Sequence, residues 1–132
     1  MFDEFLSEVF FIKIKVKGYL KNITENTIEK IDTSAIKNKN KISYIIDNTK
    51  YRLDLLTEKI ILKRESNEFI HSMVFKENKE TKTEYYIKTL NTSLDIKILT
   101  TKINITDNKI EINYKIIDSN SEYIYLIEMS DK

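Results

Sequence analysis

The sequence predicts an all-β fold: an antiparallel up-and-down β-barrel of about eight to ten strands, forming one domain over residues 1–132. Three observations carry this. Apolar residues alternate with polar ones at a period of two along most of the chain, which places successive side chains on opposite faces of extended strands. The gaps between these runs are short and rich in Asn, Asp and Ser, leaving no room for the dozen-residue crossovers that parallel strands require. The runs are also too many for an ordinary open sheet, which would expose two edges and a large apolar face; closing the sheet buries the face and removes the edges. A two-sheet sandwich satisfies the same alternation and is the rival architecture.

In chain order, Phe2, Phe5, Leu6 and Val9 recur at helical spacing beside Asp3, Glu4 and Glu8, predicting a short N-terminal helix. Ile12, Ile14 and Val16 interleave with Lys13, Lys15 and Lys17, so the first strand has an apolar face and a row of ammonium groups over solvent. Weaker runs follow at about Thr27–Ile36, Lys41–Ile46, Lys50–Leu56, Lys59–Arg64, Glu68–Phe75 and Thr83–Leu90. The turns between them fall at 38–40, 47–49, 65–67 and 77–82. From Ser93 to Ile105 the apolar phase is even at Leu94, Ile96 and Ile98 but odd at Ile103 and Ile105. An extra residue near Leu99 to Thr101, a β-bulge, would restore the inward face and bend the strand. Ile110, Ile112, Tyr114 and Ile116 form the next strand, and Tyr123–Met129 the last. Asp47-Asn48 and Asp107-Asn108 are expected to close tight turns, because Asp and Asn tolerate left-handed backbone angles.

Composition excludes much chemistry. No Cys and a single His71 leave no thiolate nucleophile, disulfide or His/Cys metal cluster, and one Gly with no Pro leaves no glycine-rich phosphate loop. No catalytic residue, metal or cofactor is expected. The 22 basic and 21 acidic residues balance at +1, so the phosphate attraction behind nucleic-acid binding is weak, and charged residues interrupt every apolar run before it could span a membrane. With no basic stretch ahead of an apolar one at the start, a cytoplasmic protein is expected, as monomer or homodimer. The 23 Ile, 20 Lys and 12 Asn reflect a biased composition rather than a function.

The residues left to carry a site are few. Arg64 continues the phase of Ile60 and Leu62; if the strand stays regular it points inward, where a guanidinium needs a carboxylate of the protein or the anionic head of a ligand. The plainer expectation is that the strand ends at Lys63 and leaves Arg64 exposed. His71 shares a face with Phe69, Met73 and Phe75 and is expected to pack beside aromatics or sit at a rim rather than to catalyse. Tyr44, Tyr51, Tyr86, Tyr114, Tyr123 and Tyr125 put phenols on strands; inward ones line a pocket or, more commonly, fill the barrel. The resulting candidate set for a small, largely apolar or anionic ligand is Arg64, His71, Tyr44, Tyr86 and Tyr114. The alternative is a filled barrel whose surface or edge meets a partner chain, and an enzyme ranks last.

A basic residue at a strand end (Arg64), Met73-Val74-Phe75, Tyr86 with Thr89, Leu94-Asp95-Ile96-Lys97 leading to Thr100, and Ile110 through Tyr114 together resemble the YwiB-like family of small bacterial proteins of unassigned function. The resemblance covers roughly the C-terminal half. It implies a calycin-like, that is lipocalin-like, barrel with an internal cavity, and it implies no reaction. Where such proteins tend to carry Thr, Pro, an aromatic and Gly in succession, this chain has Thr89, Leu90, Asn91 and Thr92.

Overall fold

The structure, a computed structural model, describes residues 11–131; the predicted N-terminal helix lies outside them. Among the described residues, ten strands form one closed antiparallel barrel in which each strand pairs with its neighbours in sequence and β1 pairs with β10 to complete the ring. They are β1 (Phe11–Asn22), β2 (Thr27–Asn38), β3 (Lys41–Ile46), β4 (Thr49–Leu55), β5 (Ile60–Glu65), β6 (Phe69–Phe75), β7 (Lys79–Ile87), β8 (Thr92–Thr106), β9 (Lys109–Ile116) and β10 (Ser121–Asp131). The sandwich is thereby excluded, and among the described residues the one helical element is a 3-10 turn at Lys88–Leu90.

The alternation works as the sequence implies. Ile14 and Val16 are buried while Lys13, Lys15 and Lys17 are exposed. In β8 the register shifts between Thr100 and Lys102, and the bulge keeps both Ile98 and Ile103 on the core side. Asp47 and Asn48 both take positive φ, 48° and 64°, and close the β3–β4 turn without glycine. Asp107-Asn108 closes the β8–β9 turn with neither residue in the left-handed region, so its expected geometry is corrected. After Thr89-Leu90, Asn91 supplies the left-handed residue at φ 48° and caps the 3-10 turn.

Several boundaries differ from expectation, most of all at β7 and β1; Lys88–Leu90, expected to end the seventh strand, form the 3-10 turn instead. β7 begins at Lys79 rather than Thr83, because Thr81 and Thr83 occupy inward positions and their hydroxyls hide the alternation; Thr83 is fully buried. β1 runs on to Asn22 through Gly18, where β1 presses against β10: a Cβ built there would lie 1.8 Å from the Leu126 carbonyl oxygen.

The two ends of the barrel differ. The end where β1 begins is filled by Val16, Ile42, Leu53, Ile60, Phe75, Ile98, Ile110, Ile112 and Ile127, all essentially inaccessible. At the other end the wall splits. β2 pairs with β1 along its whole length but with β3 only from Ala35 to Asn38, so residues 27–34 have no partner on the β3 side. An eight-stranded barrel is about filled by its own side chains, and ten strands with a splayed pair enclose more space than these residues occupy.

Candidate functional site

That space is a cavity of about 640 Å³ in the split end, within the range of small-molecule sites. Arg64, His71, Tyr51, Tyr114, Tyr123 and Tyr125 give its wall a polar character, and Leu62, Met73, Ile31 and Ile116 give it apolar surface. Each arrives by strand register. Arg64 and His71 are a directly opposed cross-strand pair of β5 and β6, and His71 in turn opposes Tyr85 of β7. Because β5 continues to Glu65, Arg64 keeps the inward phase of Ile60 and Leu62, which corrects the plainer expectation that it lies exposed beyond the strand end.

Arg64 makes no ion pair among the described residues. Glu65, next in the chain, pairs instead with Lys88 at 3.3 Å, while Glu29 and Asp47 line the cavity without reaching the guanidinium. Its Nη2 donates to His71 Nδ1 at 2.8 Å, its Cζ lies 5.5 Å from the centroid of the Phe69 ring, and its Nε is buried without a partner. A guanidinium has only donors, so His71 Nδ1 must be the acceptor and the ring proton is on Nε2. His71 is 7% exposed; burial first, and the Arg64 charge second, push its pKa down to about 4, so the ring is neutral at pH 7. Tyr85 tilts against it at 4.9 Å and stacks on Phe69.

The phenols form a second layer. Tyr44 stacks on Tyr51 and Tyr114 on Tyr123, and the Tyr44 and Tyr125 hydroxyls share a hydrogen bond of 2.6 Å. Burial raises the pKa of Tyr44, Tyr114 and Tyr125, so all three stay protonated and serve as neutral donors or acceptors. The structure thus brings Arg64, His71 and Tyr114 to one cavity. Tyr44 does not line that cavity but bonds to Tyr125, which does, and it lines a second, lateral cleft of about 590 Å³ beside the β2–β3 split. Tyr86 lines neither space: it lies one residue out of phase with inward Tyr85 and donates to Asn91 at 2.6 Å. Tyr85 escapes sequence reading because its tie to His71 depends on the β6–β7 register rather than on any spacing along the chain.

Among the described residues no group of three or more His, Asp or Glu side chains is arranged to hold a metal, and no helix is long and apolar enough to cross a membrane. No family model and no curated protein matches the chain. The crystal structure of the ywiB protein from Bacillus subtilis is similar over 92% of each chain, with a TM-score of 0.67 and 18% sequence identity. The two share the barrel fold, in keeping with the resemblance read from the C-terminal half.

Proposed function

We propose that this chain is a non-enzymatic, cytoplasmic binding barrel of the calycin-like kind, and that the cavity at its split end holds a small molecule with an apolar body and an anionic group. The observation that carries the reading is the Arg64 guanidinium in the cavity wall, held by a neutral histidine and met by no carboxylate among the described residues. A charge so placed is costly unless solvent or a counter-charge compensates it, and a bound anion supplies that compensation. The test uses 1-anilinonaphthalene-8-sulfonate, an apolar anion that fluoresces when desolvated. One molecule is expected to bind per chain, and filling the cavity by Ile116→Trp is expected to abolish it. Native mass spectrometry of protein purified without denaturation is expected to show a retained mass. No probe binding and no retained mass would sink the proposal.

The lateral split favours a second reading, an extended partner segment added to the free edge of β2. Ile36 and Ile45 are 47% and 59% exposed beside that edge, with Lys13, Lys50 and Lys63 around them. Hydrogen exchange at residues 27–34 that slows only in the presence of a partner would favour it; exchange there that slows with the small anion would not.

A further inference from the structure

We infer that His71 is a positioning residue that presents the outer edge of Arg64 to the cavity, and that the site therefore takes a carboxylate-like oxyanion end-on. The inference rests on the binding reading above and adds which face of the guanidinium is used and what sets it.

A guanidinium offers a carboxylate two forks. The side-on fork uses the parallel N–H bonds of Nε and Nη2, and the end-on fork uses the outward N–H bonds of Nη1 and Nη2. Here Nη2 already donates to His71 Nδ1 at 2.8 Å, and Nε is buried with no partner. The side-on fork is therefore closed. Both hydrogens of Nη1 and one of Nη2 remain free, and with His71 taking the Nη2 hydrogen on the Nε side they present the end-on fork to the cavity that Arg64 lines. The Phe69 ring at 5.5 Å from Cζ and the 2.8 Å bond to His71 restrict the guanidinium. The Tyr114 hydroxyl, lining the same cavity and without a hydrogen bond among the described residues, is available as a further donor. The tilted contact with Tyr85 and near-complete burial fix the imidazole, so His71 is a rigid acceptor.

The arrangement requires one tautomer, with Nδ1 unprotonated and Nε2 carrying the hydrogen. As the sequence holds a single histidine, long-range proton–nitrogen correlation spectra of the wild-type chain report it without assignment ambiguity. The binding test compares naphthalene-2-carboxylate with naphthalene-2-carboxamide, which share an apolar body. The carboxylate is expected to bind about tenfold tighter or more, the difference a charged hydrogen bond makes. Arg64→Gln should erase that preference. His71→Leu, which fills the same space without an acceptor, should reduce it to a few-fold, and His71→Gln, whose amide oxygen can accept from Nη2, should restore most of it. Circular dichroism verifies that each variant folds. Should neither probe bind, the binding reading itself falls and this inference with it. Should both bind equally well, or His71→Leu keep the full preference, or Nδ1 prove protonated at pH 7, the positioning role is wrong while the cavity stands.

Discussion

Replacing Gly18 by Ala tests how tightly the barrel is closed. In an unstrained strand this change would stabilise the protein by about 0.4–1 kcal/mol, because alanine restricts the unfolded chain. Here the new Cβ would lie 1.8 Å from the Leu126 carbonyl oxygen, 2.7 Å from its carbon and 2.9 Å from the Ile127 Cα, all backbone atoms that no rotamer change can move. Side-chain carbons essentially never approach within 3.0 Å, so β1 and β10 must part locally by about 3.0 − 1.8 = 1.2 Å. Overpacking of this kind costs roughly 1–3 kcal/mol, and each ladder hydrogen bond stretched around the Gly18–Ile127 pair adds about 0.5–1.5 kcal/mol. A net loss of about 2–4 kcal/mol is expected, which lowers Tm by about 10 °C in a domain of this size. Urea titration and calorimetry measure it, with the exposed neighbour substitution Lys17→Ala as the control, expected within about 0.5 kcal/mol of wild type. A neutral or stabilising Gly18→Ala would show that β1 does not press on β10 as described.

Two further outcomes follow from the site. The folded pKa of His71, about 4, lies below its unfolded value of 6.5, so as pH falls the unfolded chain takes up a proton that the folded chain refuses. Stability is therefore full above pH 6.5 and is lost down to about pH 4; between pH 7 and pH 5 the loss from this residue is about 2 kcal/mol, and the difference in urea midpoint between those two values should shrink in His71→Gln. Tyr125→Phe leaves the buried Tyr44 hydroxyl without its 2.6 Å partner and is expected to cost about 1–3 kcal/mol, whereas the double change to Phe at both positions should cost clearly less than the sum of the two single changes; additive losses in the cycle would refute the pairing.

Much of the architecture was readable because a strand reports its facing one residue at a time. The lysines of β1, the bulge in β8 and the Asp47-Asn48 turn each follow from local sequence, and so does the inward phase of Arg64 once β5 is allowed to run to Glu65. What local sequence does not contain is distance between strands. Nothing in the residues of β2 or β3 announces that they separate beyond Ala35, and it is this separation that hollows one end while the other packs solid. The tie of Tyr85 to His71 is of the same kind, because it depends on the β6–β7 register, whereas the outward facing of Tyr86 follows from its phase with Lys82 and Glu84. Thr81 and Thr83 hid the start of β7 because a buried hydroxyl side chain reads as a solvent-facing one.

The ring is sealed between its first and last strands, with Asn22 opposite Tyr123. During synthesis on the ribosome β1 can pair with β2 early, yet its other edge stays bare until nearly a hundred more residues have emerged, a long interval for an unguarded strand among other nascent chains. Lys13, Lys15 and Lys17 on the exposed face beside that edge set a like-charged row where a second copy of the strand would align, a pattern that disfavours edge-to-edge pairing before the ring closes.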